Sequence, residues 1–498
     1  MNGGQLIALF FAAVPWFAAA APPSLDSAFP PGGRQGGECD LTLSGKLDPW
    51  PCAIWFSEKG ITFVPDPKKP GSGKLKIAAS VPVGPVLMRA FNAEGASAPL
   101  IFIVGDQTEL LEEEKDNSTL AAAMPLDRAK LPFVINGTLS TGGELDAFRI
   151  ALEKGETLHV RVEAYGLRSM VDPAVHIHSP SGHRLALAHD GPTNLDPLLS
   201  FTAEDRGEYL VSLAGFSHPP AASVAYTGAK NAHYRLSLAL KQEQIPARLR
   251  PAGIGPDAPT PDLIPGKPLV ATLKEKGKPN RHPVTVKKGD KLLLRVEGRT
   301  LGFPIDPVLR ILQPNGSEIR REDDTNRSPD PESLWTVAAD GVHMIEVSDR
   351  YGRAGSEMRY RLSAGPASPD FLVSMDKAQA TLERGKPLEW KATVTRIRGH
   401  TGELTLALSG LPGGITLKGP TQIAETGTEA VLRLEAAPDA PGFSGPIRVL
   451  VREKKGEHPM ERIAAFSLKN ENQRGPYALD EVKNLWLTLP PPAGKKEP

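Results

Sequence analysis

Reactive chemistry is scarce in this sequence. Only two cysteines, Cys39 and Cys52, occur in 498 residues. No Cys-x-x-Cys pair and no nearby histidine accompanies them, which argues against a cysteine-based zinc centre. His-Glu-x-x-His and Gly-x-Ser-x-Gly are both missing, so the sequence carries neither a zinc-peptidase helix nor a nucleophile elbow. Net charge is missing too: 58 Lys and Arg balance 58 Asp and Glu. A balanced chain exerts no long-range pull on nucleic acid or on an anionic membrane. Apolar residues never hold a 3.6-residue period for three turns, which argues against long helices. After the first 21 residues no apolar run approaches the ~20 needed to cross a bilayer. Gly71-Ser72-Gly73-Lys74 looks like the end of a phosphate loop. It lacks the earlier glycine, Leu75 stands where a Ser or Thr would hold magnesium, and it reads as a hairpin turn.

Turn formers are in excess. The 48 glycines and 49 prolines make up about a fifth of the chain, against roughly 12% in average proteins. Many tight turns between short strands produce such a bias. The length suits three to five domains, each able to bury its own core. Residues 1–20 look like a secretory signal peptide: Leu6 to Phe17 is apolar and Ala18-Ala19-Ala20 offers small residues for cleavage. Met1 to Gln5 lacks the usual Lys or Arg, and a buried N-terminal helix is the alternative. In an oxidising compartment Cys39 and Cys52, 13 positions apart, predict a disulfide, with two free buried thiols as the alternative.

Residues 154–213 reappear without a gap 134 positions later, with 17 identities in 60 pairs. Lys154-Gly155-Glu156 falls on Lys288-Gly289-Asp290, Arg161-Val162-Glu163 on Arg295-Val296-Glu297, and Asp172-Pro173 on Asp306-Pro307. Asp190, Asp196-Pro197 and Gly207 fall on Asp324, Asp330-Pro331 and Gly341. Tyr234-Arg235-Leu236-Ser237 returns as Tyr360-Arg361-Leu362-Ser363 at a shift of 126. A shared pattern of turns and apolar positions means one fold built twice.

Around the repeats, period-two alternation marks half-buried strands. Residues 24–105 hold six such stretches, including Leu41-Leu43, Ile61-Phe63 and Leu75-Ile77, and predict an immunoglobulin-like sandwich. An acidic bridge at 106–125, with Glu112-Glu113-Glu114, reads as a solvated linker in preference to a short helix. The repeats span 126–242 and 266–366, separated by a Pro-rich linker at 243–265 that should stay extended. Residues 369–470 predict a second immunoglobulin-like sandwich, and 471–498 a tail that packs one short strand and frays. The expected class is all-β, a series of tandem antiparallel β-sandwiches of immunoglobulin-like and jelly-roll type.

The repeated unit resembles the bacterial pre-peptidase C-terminal domain. Asp146-Ala147-Phe148, Lys154-Gly155-Glu156, the Asp172-Pro173 strand, the Ser181-Gly182 turn, Arg206-Gly207-Glu208-Tyr209 and Tyr234-Arg235-Leu236 carry the likeness. In the second copy Asn280-Arg281-His282 departs from the family's Asp-x-Phe. The acidic run from Glu112 to Asn117 looks like the lead-in that often precedes such domains. The first block is similar to the IPT/TIG type through Gly84-Pro85-Val86 and Gly95 to Phe102. The fourth resembles bacterial immunoglobulin-like modules through Pro369-Asp370-Phe371 and Gly410-Leu411-Pro412-Gly413. These resemblances imply jelly-roll and immunoglobulin-like folds in a secreted, accessory protein.

Candidate ligand groups are few. His176 and His178 share one face of a strand, and with His189 would make a three-histidine metal site. The second copy has Arg310, Leu312 and Asp323 at those places, which favours scattered imidazoles. Asp190, Asp196, Asp323, Asp324, Asp330 and Asp340 are repeated carboxylates suited to calcium, although Asp before Pro or Gly also caps turns. Trp55 and Trp390 fall on inward alternations. Trp50, between Pro49 and Pro51, is the best candidate for stacking on a sugar.

The expectation is a secreted, periplasmic or cell-surface protein without catalytic residues, cofactor or metal. It would bind or space an envelope protein or polysaccharide, with no nucleic-acid partner and no membrane insertion once the signal is removed. Carbohydrate binding, or service as the accessory subunit of a secreted hydrolase, are the alternatives.

Overall fold

A computed structural model of the chain describes residues 21–112, 117–217, 219, 225–325, 328–454, 459–470 and 473–492. The expected signal peptide at 1–20, Glu113 to Asp116 and His218 lie outside the described residues. Every regular element among those described is a β-strand or a one-turn 3-10 segment. No helix among them is long and apolar enough to cross a membrane. The chain is all-β, built as a series of two-sheet sandwiches.

The first sandwich faces the sheet Ser27–Phe29, Glu38–Ser44, Ser72–Ile77, Ile61–Pro65 against the sheet Gly32–Arg34, Leu100–Gly105, Gly84–Asn92, Ala53–Phe56. Alternate residues point inward, so Leu41, Leu43, Leu75 and Ile77 meet Val86, Met88, Phe102 and Val104. The fragment around Gly71 is a turn at the start of Ser72–Ile77, and Gly71 takes the positive φ of 79° that glycine tolerates.

The predicted disulfide is corrected: Cys39 and Cys52 are both free thiols. Cys39 sits at the start of Glu38–Ser44. The loop leading to Cys52 leaves from the other end, about 17 Å away at strand rise. Trp50 stays at that far end, donating its indole N–H to the Asp66 carbonyl at 2.7 Å. Disulfide geometry needs Cα atoms within about 7 Å. Burial raises both thiols, Cys39 to about 11, with the Glu109 carboxylate adding to the effect.

The two repeats share one topology. In the first, one sheet runs Phe133–Thr138, His233–Ala239, Thr157–Glu163, Leu198–Thr202, and in the second Leu269–Thr272, Arg359–Pro366, Lys291–Glu297, Glu332–Thr336. The facing sheets run Asp146–Leu152, Gly207–Ser217, Val171–His178, Arg184–Ala188 and Asn280–Val286, Gly341–Asp349, Pro307–Leu312, Glu318–Glu322. Even an irregularity recurs, before His178 in one copy and before Leu312 in the other. The repeated motifs are cross-strand partners. Glu163 stands opposite Arg235, and Glu297 opposite Arg361.

The connecting segments are part of the sandwiches. Thr108–Leu111 and Met124–Pro125 add parallel edge strands to the first repeat, so these described parts of the bridge belong to its sheets. The Pro-rich segment lies down on the second repeat. Leu263 is buried in that core, and Ala252, Ala258 and Leu263 donate backbone N–H bonds to Leu301, Val270 and Pro283. Leu485–Leu489 is an interior strand of the fourth sandwich, between Gln379–Thr381 and Phe443–Glu453.

The sandwiches also pack against one another. Trp55 points out of its own sandwich and meets Trp486 edge-on at 5.6 Å, while Phe91 lies 5.0 Å from the same indole. Arg89, fully buried, donates to Ser97 O at 2.6 Å and Gln379 Oε1 at 2.7 Å. Leu87, Ile103, Tyr165, Leu167, Tyr477 and Val482 form one apolar cluster drawn from the first sandwich, the first repeat and the C-terminal segment.

Candidate functional site

The repeated aspartates separate into two roles. Asp196 accepts backbone N–H bonds from Ala164, Tyr165 and Gly166 at 2.7–2.8 Å. Asp330 does the same 134 positions on, from Gly298, Arg299 and Thr300 at 2.9–3.0 Å. Each carboxylate fixes the one-turn segment that follows its neighbouring strand, satisfying amides that would otherwise be orphaned. Asp340 accepts from the Lys288 N–H at 2.6 Å. These carboxylate oxygens are taken up by backbone N–H groups, which is a capping role.

Asp190 and Asp324 sit elsewhere, at a corner beside Asp172 and Asp306. In the first copy, ligand atoms of Asp172, His189 and Asp190 lie within 4.8 Å of one another. His189 Nε2 is 3.4 Å from Asp172, and its ring packs edge-on to Phe216 at 5.3 Å. Burial raises Asp172 to about 6, opposed by His189. In the second copy arginines fill the same corner: Arg350 is 3.1 Å from Asp323, and Arg299 is 3.7 Å from Asp306.

The three-histidine arrangement does not form. His176 and His178 are neighbours, with ring centroids 5.8 Å apart. His178 is held by Ser212 Oγ at 3.1 Å, and His189 faces the acids instead. Trp50 is half-buried, packs edge-on to Phe63 at 6.4 Å and has its N–H occupied. Trp390 and Trp335 are core residues. Trp55 is half-buried against a neighbouring sandwich, on a face that alternation alone assigns to its own core.

One cluster escaped the sequence reading. Glu112, Asn117, Asp146 and Tyr234 meet inside the first repeat, each under a tenth exposed. Glu112 accepts from Asn117 Nδ2 at 2.7 Å and the Thr138 N–H at 3.0 Å. Both Asp146 oxygens are buried beside Glu112 and Tyr234. Burial raises Asp146 to about 9, and the adjacent Glu112 charge adds to it. Two buried carboxyls side by side cannot both ionise cheaply, so the pair retains a proton at neutral pH. The signal for it was the Glu112–Asn117 run next to Asp146, whose convergence depends on the fold.

A groove of about 1100 Å³ lies where the repeats, the Pro-rich segment and the C-terminal segment meet. Glu163, Arg248, Arg299, Asn194, Asp324 and Gln473 are on its walls. Arg248 clasps Glu163 with two bonds of 2.7 and 2.8 Å, and Arg299 donates to the Pro192 carbonyl at 3.3 Å. The lining is rich in hydrogen-bonding groups and holds no assembled nucleophile, base and orienting group among the described residues. Such a lining can hydrogen-bond a polar ligand.

No protein-family model matches the chain, and no curated protein matches it. Among solved structures it is similar to the pre-peptidase C-terminal domain of a collagenase from Bacillus anthracis, at 17% identity over 23% of this chain and 93% of that one, TM-score 0.18. It is also similar to the CbhA fibronectin(III)-like modules of Clostridium thermocellum, at 16% identity over 39% of this chain and 93% of that one, TM-score 0.13. A third is SGBP-B of the Bacteroides ovatus mixed-linkage glucan utilization locus, at 10% identity over 70% and 76% of the two chains, TM-score 0.17. At such scores these likenesses carry no argument about ligand or family.

Proposed function

We propose that the chain is a secreted, non-catalytic protein of the bacterial cell envelope, a rigid scaffold that spaces or presents binding surfaces toward an envelope protein or polysaccharide. The observation that carries this reading is the apolar cluster shared by the first sandwich, the first repeat and the C-terminal segment, with Tyr165 and Tyr477 rings 5.2 Å apart at its centre. Shared buried contacts hold modules at fixed angles, whereas tethered beads move independently. A spacer needs the first property. Small-angle scattering of the full chain is the test. One rigid envelope is the expected result, and a flexible ensemble removes the scaffold reading. Affinity capture from native envelope fractions then identifies the partner. Hydrolytic turnover by the pure protein overturns the non-catalytic part.

A second reading, recognition of an oligosaccharide, is favoured by the hydrogen-bonding groove of about 1100 Å³ between the modules. It predicts hits on a glycan array that weaken in Arg299→Ala. A blank array removes it and leaves the scaffold reading in place.

A further inference from the structure

We propose that the outer face of the second repeat binds an oxyanion group, a phosphate or sulfate ester, between Arg310, Arg321 and Arg350. The argument begins with strand register. Arg281 stands opposite Glu346, Glu346 opposite Arg310, and Arg310 opposite Arg321, so four residues on four adjacent strands form one row across the sheet. Glu346 is almost fully buried and accepts from Arg281 Nε at 2.9 Å and Arg310 Nη1 at 2.5 Å. Arg310 also donates to Glu318 at 2.6 Å. Arg321 has no acidic partner among the described residues. Like charges directly opposite on neighbouring strands destabilise a sheet, and the Arg310–Arg321 pair is such a juxtaposition. An anion between them relieves it.

The space for that anion is a concavity of about 280 Å³, on whose walls Lys278, Arg350 and Arg353 join Arg310 and Arg321. Its two acids are committed: Glu346 as above, and Asp349 to Arg353 at 2.8 Å. Arg350 meets two solvent-accessible carboxylates, Asp323 at 3.1 Å and Asp324 at 4.0 Å. Guanidinium groups present planar forks that match phosphate and sulfate bidentately. The volume suits one ester group with its sugar or glycerol and falls short of a drug-sized ligand.

Comparison with the first copy shows that the fold does not require these cations. There the row reads Ala147, Ser212, His176 and Leu187, with Phe216 in place of Arg350 and Glu144 in place of Lys278. The duplicated scaffold keeps its topology with a neutral row, so the guanidinium cluster is an addition to the second copy.

The test uses the full chain and titration calorimetry at low ionic strength. Its arms are inorganic phosphate, inorganic sulfate, a sulfated oligosaccharide and an oligomer of glycerol phosphate. Saturable binding in at least one arm is expected. It should weaken about tenfold in the double variant Arg321→Ala, Arg350→Ala and fall as salt is raised. Arg321→Lys should retain part of it, because the charge stays and the fork is lost. Both altered positions are exposed, and an unchanged melting temperature confirms the fold. Binding of the free ions assigns a small-anion site; binding of an oligomer alone assigns a polymer-borne ester, and either supports the proposal. No saturable binding in any arm, or undiminished binding in the double variant, overturns it. The scaffold reading is measured separately by scattering and survives that failure.

Discussion

Asp146 and Asn280 occupy one position of the duplicated sandwich and solve it in opposite ways. Asn280 donates to the Tyr360 hydroxyl at 2.9 Å and the Thr272 carbonyl at 3.1 Å, leaving a neutral, satisfied site. Asp146 lies against Glu112 near Tyr234, two carboxyls sharing one buried place. The second copy thus shows what a neutral amide does at a place where the first keeps two acids.

That difference sets a pH dependence. Burial raises the folded-state pKa of Asp146 from 3.8 to about 9. Between those values the folded protein binds more protons than the unfolded chain, so stability falls as pH rises through the window. The full chain should melt at a lower temperature at pH 8.5 than at pH 5.5, by a few degrees or roughly ΔΔG divided by the unfolding entropy. Asp146→Asn should flatten the slope and raise the melting temperature at the alkaline end. Calorimetry across that range decides it, and an unchanged slope in the variant removes the explanation.

The equivalent arginines should differ in cost. Arg235 is almost fully buried, bonds Glu109 at 2.8 Å and lies 3.6 Å from Glu163. Arg235→Ala removes the cation between Glu109 and Glu163, leaving Glu109 to Asn136 and Glu163 to Arg248, at a cost of about 3–5 kcal/mol. A Cβ on Gly32 would overlap this guanidinium, so the side chain also seats the first sandwich on the first repeat. Arg361 and Glu297 are about a third exposed. Solvent screening reduces that pair to about 0.5–1 kcal/mol. Denaturant midpoints of the two alanine variants measure the contrast.

Period and repetition made the strands legible. Leu41-Leu43 and Leu75-Ile77 alternate because each has a wet face and a dry one, and that is a local property. The 134-residue shift was legible because residues that need each other recur at one spacing: Asp196 holds the amides of 164–166 and Asp330 those of 298–300. What escaped depends on chain meeting chain. Alternation says that Trp55 is buried on one side without saying whether its own core or Trp486 covers it. Leu485-Trp486-Leu487 is a short run beside prolines, and only its pairing with Gln379–Thr381 and Phe443–Ile447 makes it interior. Spacing brought Cys39 and Cys52 close in sequence and could not report that a whole strand length separates them. The acids at Glu112 and Asp146 look solvated in sequence because the residues that bury them come from Thr138 and Tyr234.

Trp486 is the joint between the first and fourth sandwiches. Its indole is 1% exposed, donates to Ser444 Oγ at 3.1 Å, and lies beneath Arg89 at 5.9 Å. Trp486→Ala should cost about 3–5 kcal/mol in the fourth sandwich. It should also free the first sandwich, seen as a larger radius of gyration and faster cleavage between modules in limited proteolysis. Loss of stability with no change in scattering would place the whole effect inside the fourth core.

The two thiols should stay reduced. A thiol raised to about 11 carries little thiolate at pH 8, and thiolate is the reactive form. A disulfide reagent should therefore react slowly with the folded protein and count two thiols after unfolding without reductant. Melting temperatures with and without reductant should coincide. An intact mass two hydrogens lighter, lost on reduction, contradicts the geometry of the first sandwich.

The paired caps offer the sharpest internal control, since the same substitution can be made twice in one chain. Asp196 and Asp330 each accept three backbone N–H bonds from a one-turn segment. Removing a capping carboxylate costs about 1–2 kcal/mol, so Asp196→Ala and Asp330→Ala should each lose that amount. The double variant should lose the sum, because sites in separate cores add. Calcium should leave all three losses unchanged, since oxygens already held by amides have little to offer a cation that wants six to eight ligands. A calcium-dependent rise in melting temperature that disappears in Asp196→Ala would return these carboxylates to the cation-binding role that their repetition in the sequence first suggested.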